Sequence, residues 1–347
     1  MKRALTIAWL VFLFSIPLWM DNLYYLHILI ITGIFIIAAM SLNLLLGYTG
    51  QLSLGHVAFF GIGAYVSSLV SLGFAFHILP NTMVSLEPKP VWFAMLVGVL
   101  CASLCGWLIG KISFKVRGAY FVIVTVSFAE VVRLIALNWL ELTQGPMALN
   151  NIPYLSLGHP GIGAIAFIGK VPNYYLVLVA AILTYVIIQR LVYSRVGRAM
   201  IALRENEPLA SSIGVDVTRV LVFATMLSAG LAGFAGAIYA HYVRIVDPDV
   251  FLFIYTVTMV IMVVTGGKGT LAGPVVGGLI FGILPEVLRG FEVLPEIQWI
   301  VYGVLMILIV YFLPAGIVPA LRAWWPARTE QARDPAADRR TAAEVQP

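Results

Sequence analysis

Long apolar runs follow one another along almost the whole chain, and they restrict the protein to one class of fold. Ten of them approach the roughly 20 residues that an α-helix needs to cross a bilayer. They lie at about 4–20, 24–46, 54–73, 91–110, 118–140, 174–191, 220–243, 251–265, 271–289 and 297–318. Because backbone polar groups must be paired inside hydrocarbon, such runs predict helices. The sequence therefore predicts an all-α fold, a polytopic membrane helix bundle of about ten transmembrane helices.

Composition supports a membrane protein. Of the 347 residues, 61% are hydrophobic and only 11% are charged, and the mean hydropathy is +0.98. A soluble domain cannot bury this much apolar surface. Two runs fit a complete span less well, because 54–73 is rich in glycine and serine and 251–265 is short. Each of these two is expected to be either a span or a broken or re-entrant helix.

A single long polar segment, residues 190–219, separates the sixth apolar run from the seventh. Six charged side chains exclude it from hydrocarbon, so it is predicted to lie in water between two membrane-embedded parts. These residues are Arg195, Arg198, Arg204, Glu205, Glu207 and Asp216. Residues 197–205 have helical composition, and Asn206-Glu207-Pro208 indicates a stop and a new start. We expect two short helices at an angle, with Gly214 as the C-terminal cap.

The basic residues predict the orientation. If the N-terminus is cytoplasmic and every run spans, sixteen basic residues lie inside and four lie outside, which satisfies the positive-inside rule. Both termini and the polar segment are then cytoplasmic, with a transmembrane domain over 1–319 and a disordered cytoplasmic tail over 320–347. A cleavable signal peptide is the alternative for the first run, but its exit lacks the small residues that cleavage requires. The net charge of +5 follows from this topology and anionic lipid headgroups, so no nucleic acid partner is implied.

Glycine is concentrated at two places where a run is predicted to end inside. Five glycines lie between Gly47 and Gly63, which permits close backbone approach and a broken helix, or simply close helix packing. A looser copy at 266–273 hints at an internal repeat. This copy is not a phosphate-binding loop, because Met262 and Gly269 stand where that motif needs Gly and Ser or Thr. The chain has no catalytic motif and no Cys/His metal spacing either.

Charged pairs occur inside two of the predicted spans. Glu130 and Arg133 are three residues apart near the middle of one helix, and Glu286 and Arg289 repeat this spacing near the outer end of another. Side chains at i and i+3 can neutralise one another and so lower the cost of burial. We expect that role for Glu286 and Arg289, which can reach the interface by snorkelling.

Three stretches in the same order resemble a known family. The stretch 41–65, the stretch 118–125 with Glu130 and Arg133, and the segment from Gly197 to Gly214 are similar to the permease family of branched-chain amino-acid ABC importers, and more so to its LivM-type subunit. The similarity covers roughly residues 29–318. It implies a multi-pass protein of the bacterial inner membrane that binds no cofactor itself.

The resemblance also implies partners and site residues. The partners are a second permease subunit, cytoplasmic ATPase subunits that use ATP, an external solute-binding protein and membrane lipid. The segment from Glu207 to Gly214 corresponds to the loop that docks on the ATPase, with Pro208 and Leu209 departing from the family pattern. The ATPase-coupling candidates are Arg198, Arg204, Glu205, Asn206, Glu207 and Gly214. The translocation-path candidates are Asn43, Gln51, Ser53, His56, Glu130 and Arg133.

Other functions stay open at this stage. An ion-coupled secondary carrier of a small polar solute would need a buried acid, for which Glu130 is the candidate. A channel would need a polar ring, and a membrane enzyme would need a catalytic constellation. A lone histidine such as His56 is more often a hydrogen-bonded structural residue than a ligand. Within the resemblance, the substrate is a branched-chain amino acid first, then another amino acid, an amide, urea or a small carboxylate.

Overall fold

The computed structural model describes residues 2–20, 22–79, 82–114, 119–157, 165–290 and 295–324, and most of them are helical. Fourteen α-helices lie within these ranges. They are α1 (Lys2–Trp19), α2 (Leu23–Leu46), α3 (His56–Leu72), α4 (Val91–Ser113), α5 (Ala119–Asn138), α6 (Leu140–Thr143), α7 (Lys170–Val192), α8 (Arg195–Glu205), α9 (Glu207–Ser212), α10 (Val217–Val243), α11 (Phe253–Gly266), α12 (Gly273–Gly290), α13 (Pro295–Phe312) and α14 (Ile317–Trp324).

Each of the ten apolar runs forms a helix, as predicted. Among the described residues, five helices are long and apolar enough to cross a membrane by themselves, namely α2, α4, α5, α7 and α10. The two runs singled out above form α3 and α11, with 17 and 14 residues. At about 1.5 Å per residue these helices extend roughly 25 and 21 Å, less than a hydrocarbon core of about 30 Å. Neither helix is long enough to span the core without non-helical flanks or local thinning of the bilayer.

Helices α2 and α10 form the centre of the bundle. In α2 and in α10, 72% of the apolar 18-residue stretch that could cross the membrane is buried. The corresponding buried share in α4, α5 and α7 is only 22–28%. Helix α2 packs against α7, α10, α11 and α12, while α10 also packs against α3 and α4. The outward faces of α4, α5 and α7 carry exposed apolar side chains. These faces are therefore available to lipid or to another subunit.

Glycine allows α10 to approach α3 at backbone distance. A Cβ atom on Gly236 would lie 1.9 Å from the carbonyl oxygen of Phe60. On the other side of the same contact, a Cβ on Gly63 would lie 2.1 Å from the carbonyl oxygen of Gly233. Small residues at such crossings let membrane helices gain dispersion contacts between backbones. The predicted glycine-based packing is thus found in the first glycine-rich stretch.

Two short antiparallel hairpins, which were not predicted, lie outside the ten runs. One pairs β1 (Phe74–Leu79) with β2 (Thr82–Leu86), and the other pairs β3 (Ser156–Leu157) with β4 (Ile165–Ala166). They belong to the connections that follow α3 and precede α7. The membrane-embedded part remains all-α.

The loop between α6 and β3 is fastened to the end of α10. The backbones of Leu149 and Val246 exchange two hydrogen bonds, of 2.8 and 3.0 Å. Arg244 donates from Nε to the carbonyl of Ile152 at 2.8 Å, and its guanidinium lies 4.0 Å from the ring centroid of Tyr154. We call residues 144–157, which are this loop together with β3, the outer loop, because the sequence predicts them outside.

The opposite end of the bundle gathers the turns that the sequence predicts on the cytoplasmic side. We call it the coupling end, and it contains the ends of α2 and α11 together with α8. Gly267, after α11, lies against Pro319 of α14 and the Ala315 carbonyl, so the segment that follows α13 returns to the same place. Helix α14 extends past residue 319 to Trp324, and the remainder of the predicted tail lies outside the described residues.

Candidate functional site

Local capping divides the polar segment into two helices, as predicted. Ser194 accepts a hydrogen bond from the backbone N–H of Gly197 at 3.3 Å and begins α8. Asn206 ends α8 and begins α9, where its side chain accepts from Leu209 N at 2.9 Å. Gly214 follows α9 with φ +91°, a left-handed conformation that favours glycine. The predicted stop, new start and glycine cap are all present.

A small apolar cluster joins this segment to three other helices at the coupling end. Leu203 of α8 and Ala210 of α9 are buried against Phe114, Phe121 and Leu221. The rings of Phe114 and Phe121 stack with centroids 4.8 Å apart. Because these residues belong to the end of α4, the start of α5 and the start of α10, α8 and α9 cannot move without affecting those helices.

Arg204 ties α8 to the end of α2. Its Nη1 donates to the carbonyl of Gly47 at 2.8 Å, and its Nε and Nη2 bind the neighbouring carboxylate of Glu205. Gly47 is the C-terminal cap residue of α2. The arginine therefore satisfies a carbonyl that has no partner within the helix and links the polar segment to the core helix.

Asn43 joins the two glycine-rich stretches. Its side-chain amide donates to the carbonyl of Thr270 at 2.9 Å and its oxygen accepts from Gly269 N at 2.9 Å. With Arg204 and Gly47, these residues form a contact that we call the glycine junction. Asn43 is 2% exposed, and both of its polar groups are engaged. The structure thus places this path candidate in a connection between α2 and the turn after α11.

Ser53 and His56 lie at the start of α3, while Gln51 is half-buried in the connection before it. His56 Nε2 is 2.7 Å from Ser41 Oγ, and Val57 N donates to Thr256 Oγ1 at 3.1 Å. Ser53 and His56 are completely buried. These candidates are brought together, but Glu130 and Arg133 are placed elsewhere.

The Glu130–Arg133 pair lies on the outward face of α5. Arg133 makes three hydrogen bonds to the Glu130 carboxylate, of 2.7, 3.0 and 3.1 Å. The side chains are 23% exposed for Arg133 and 53% exposed for Glu130. Glu130 lies about 17 Å along α5 from its first residue, near the middle of the helix. Pairing is observed as predicted, on a surface that no other described part of this chain covers.

The Glu286–Arg289 pair is formed at 3.3 Å, and Tyr24 of α2 adds a hydrogen bond to the same carboxylate. This agrees with the predicted neutralising role. The described residues contain no group of three or more His, Cys, Asp or Glu side chains placed to hold a metal ion.

Sequence reasoning did not name Ser194 and Asp216 as site residues, and it missed the partners of two residues that it did name, Arg204 and Asn43. Ser194 and Asp216 do carry a local signal, since each precedes a helix and caps it, Asp216 by accepting from Arg219 N at 3.0 Å. The partnership of Arg204 with Gly47, and of Asn43 with Gly269, has no such signal because the partners are far apart in sequence.

Comparison with known proteins shows similarity over most of the chain. A family model described as "Branched-chain amino acid transport system / permease component" matches residues 24–310. The permease protein LivM of Escherichia coli K12 is 31% identical over 314 residues, which is 84% of this chain and 69% of LivM. LivM of Salmonella typhimurium is 30% identical over 324 residues, 87% of this chain and 72% of LivM.

More distant relatives include LivH of Escherichia coli K12, which is 26% identical over 290 residues, 81% of this chain and 89% of LivH. No solved structure matches the chain. The chain is a multi-pass inner-membrane transport subunit and is not itself an enzyme. With a charged two-helix segment tied to a bundle of apolar helices, and a match over most of its length, the chain belongs to the permease family of branched-chain amino acid transport systems and is similar to its LivM-type members.

Proposed function

We propose that this chain is one of two permease subunits of an ATP-driven importer that moves branched-chain amino acids into the cytoplasm. The observation that carries the proposal is the connection of α8 and α9 to the core through Arg204 and the apolar cluster. Such a rigid, charged element on one end of a bundle is suited to receive force from another protein. The names of the relatives supply the substrate class.

Helix α9 supplies the contact surface for the ATPase. Leu209 and Ile213 are 61% and 73% exposed although they lie beside charged residues. Exposed apolar side chains with a polar rim are typical of a protein contact. Arg198, Glu205 and Glu207 form the surrounding rim, and Asn206 and Gly214 fix the shape of the segment.

The second permease subunit covers the outward face of α5. A charge near the bilayer centre costs at least about 2.5–3.5 kcal/mol on insertion scales, so the Glu130–Arg133 pair should not face lipid. A second subunit of the same family, packed against this face, would exclude lipid and enclose a path between the two chains. Glu130 and Arg133 then line that path near its middle. Gln51, Ser53 and His56 join it nearer the coupling end only when the buried start of α3 opens to it.

Exchanging the charges tests this assignment. The variant Glu130→Arg with Arg133→Glu keeps an i, i+3 pair and should insert normally, because neutralisation is preserved. We expect its uptake rate to fall at least tenfold, since the charges met by the solute are reversed. Exchange of Glu286 and Arg289 is the matched control and should leave uptake within twofold. Normal uptake by the first variant would make the pair structural.

The outer loop supplies a firm surface for an external solute-binding protein. It is fastened to α10, and the exposed side chains of Asp247 and Asp249 lie in the segment that follows. Acidic residues at this end could complement a basic surface on the partner. If Asp247 and Asp249 contact only water, replacing them should leave uptake unchanged. Loss of uptake would instead support a contact with the binding protein.

The proposed orientation places the coupling end in the cytoplasm. Ser211 is exposed on α9, and the positive-inside rule assigns it to the inner side. We expect a cysteine at this position to resist impermeant thiol reagents in intact cells and to react in inverted vesicles. Labelling in intact cells would reverse the orientation, and a cysteine at exposed Met147 of the outer loop should behave in the opposite way.

The function is tested in liposomes that contain the permease with its ATPase, second permease and binding protein. We expect uptake of labelled L-leucine that requires ATP inside and persists when ionophores collapse ion gradients. Uptake that follows an ion gradient without ATP would support the secondary carrier instead. Labelled urea tests the substrate class, since transport of urea without leucine would replace the branched-chain assignment.

A further inference from the structure

Helix α3 begins inside the bundle and not at its end. Val57, its second residue, donates its backbone N–H to the hydroxyl of Thr256 at 3.1 Å. Thr256 precedes Gly266, the last residue of α11 at the coupling end, by ten residues. At about 1.5 Å per residue this places the start of α3 about 15 Å from the coupling end, half of a core of about 30 Å.

Two other contacts agree on this depth. His56 bonds to Ser41, which lies five residues, or about 8 Å, before the end of α2. Gly55 lies against α5, where a Cβ would come within 1.7 Å of the carbonyl oxygen of Thr125. Thr125 is six residues, or about 9 Å, from the first residue of α5. The start of α3 is therefore embedded about 8–15 Å from the coupling end.

A helix start at this depth presents positive charge where water is scarce. The first N–H groups of a helix lack partners within it, and the macrodipole places about half a positive charge there. Val57 N–H donates to Thr256 Oγ1 and Ala58 N–H donates to the Gly55 carbonyl, and the N-cap residue Gly55 has no side chain that could add a cap. Non-helical backbone such as residues 50–55 occurs at membrane depth only when it is buried in protein or lines a cavity.

Two buried side-chain atoms at this helix start have no hydrogen-bond partner among the described residues. They are Ser53 Oγ and His56 Nδ1, and both residues are 0% exposed. The Ser41 hydroxyl donates to the carbonyl of Ala38 at 2.6 Å, so its oxygen accepts from His56 Nε2. His56 Nδ1 is then a bare acceptor, while the Ser53 hydroxyl is a free donor.

These groups match the two ends of an α-amino acid. A carboxylate binds the N-terminus of a helix and accepts from a hydroxyl, and an ammonium group donates to a neutral imidazole nitrogen. We propose that the start of α3 is the site that binds the α-carboxylate and α-ammonium groups of the transported solute, through the positive N-terminus of the helix, Ser53 and His56. This assignment rests on the proposed function, because it takes an amino acid as the solute.

The site is closed in this conformation, and α5 closes it. The Thr125 carbonyl covers Gly55, and the ring of Phe128 from the same helix packs on Phe59 with centroids 5.9 Å apart. Phe121, near the start of α5, belongs to the apolar cluster that contains Leu203 of α8 and Ala210 of α9. Movement of the polar segment 190–219, which we call the coupling segment, therefore reaches the helix that covers the site.

Charged thiol reagents test the site in the assembled transporter. Cys101 and Cys105, the two native cysteines, are replaced by alanine, and Ser53→Cys is introduced in the complete complex in liposomes. Ser68→Cys is the matched control, since Ser68 is also 0% exposed on α3 but lies twelve residues, or about 18 Å, after His56. Reaction rates are compared for a sulfonate reagent and a trimethylammonium reagent, with and without ATP.

We expect Ser53→Cys to be unreactive at rest and, during ATP hydrolysis, to react at least tenfold faster with the anionic reagent than with the cationic one. Saturating L-leucine should slow this reaction severalfold, and L-leucinol, which lacks the carboxylate, should not. Ser68→Cys should stay unreactive throughout. Equal rates with both reagents, absence of reaction during turnover, or absence of leucine protection would overturn the assignment.

His56→Gln provides an independent measurement. Glutamine can keep the hydrogen bond to Ser41 but offers no acceptor at the position of Nδ1, so its membrane level should be unchanged while leucine uptake falls at least tenfold. Unchanged uptake would assign His56 to structure alone and overturn its part of the proposal. If the unaltered complex shows no ATP-driven leucine uptake, the proposed function and this inference both fail, whereas uptake with negative labelling refutes only the inference.

Discussion

Arg204→Gln is expected to reduce leucine uptake at least tenfold while the permease remains in the membrane at its normal level. The arginine provides the only charged hydrogen bond between the described coupling segment and the backbone of α2, through the Gly47 carbonyl. A hydrogen bond to a charged group contributes about 1.5–3 kcal/mol, which corresponds to tenfold or more in an equilibrium. Without it, movement of α8 should no longer displace the glycine junction. ATP hydrolysis should continue, uncoupled from transport.

Arg198→Gln is the matched control for this variant. Arg198 lies on the same helix and also donates to a backbone carbonyl, that of Tyr193, but this residue is only five positions away. The control removes the same charge and the same kind of bond without breaking a link to α2. Its uptake is expected to fall less than that of Arg204→Gln, because Arg198 lies on the rim of the proposed ATPase contact but makes no link to α2. Equal losses in both variants would show that charge at the ATPase contact, and not the junction, is what matters.

Gly236→Ala is expected to destabilise the folded permease strongly. The added methyl carbon would lie 1.9 Å from the carbonyl oxygen of Phe60. The atoms that it would meet all belong to the backbone of α3, so no side chain can move aside to make room. Overpacking in a well-packed core costs about 1–3 kcal/mol, and we expect the upper end because α10 and α3 must separate. The midpoint of thermal unfolding in detergent should fall by roughly 5–10 °C.

Gly303→Ala distinguishes this effect from glycine replacement as such. Gly303 lies on α13, and a Cβ there would have no atom within 4 Å among the described residues. Because alanine has the higher helix propensity, this control should be neutral or slightly stabilising. A similar loss at both positions would contradict the account of the α3–α10 contact, as would an unchanged midpoint for Gly236→Ala.

Local signals predicted the elements of the fold well. The ten apolar runs became ten helices, and Asn206 and Gly214 divide and end the coupling segment as their residue types indicated. The i, i+3 spacing also predicted the Glu130–Arg133 and Glu286–Arg289 pairs. In each case the interaction that decides the outcome lies within one or two helical turns, so the sequence contains all of it.

Interactions between distant residues could not be predicted in this way. Asn43 is a polar residue in an apolar run, as a residue of the translocation path would be. Its side chain instead binds Gly269 and Thr270, which are more than 220 positions away. The glycines in 47–63 predicted either a broken helix or close helix packing, and both occur. Helix α3 begins only at His56, inside the bundle, and Gly63 packs at backbone distance on α10. Which glycine serves which purpose depends on the partner helix, and one sequence does not specify partners.

The fastening of the outer loop has a consequence for how this end of the molecule exchanges hydrogen with solvent. The loop contains three residues with positive φ that are not glycine, Gln144, Ala148 and Asn151, and such conformations persist only where surrounding contacts impose them. The amides of Leu149 and Val246 are paired with one another's carbonyls, so each is protected from water as an amide in a sheet would be. In deuterated buffer these two amides should therefore exchange at rates close to those of the adjoining turns of α10, although one lies in a loop and the other follows the helix.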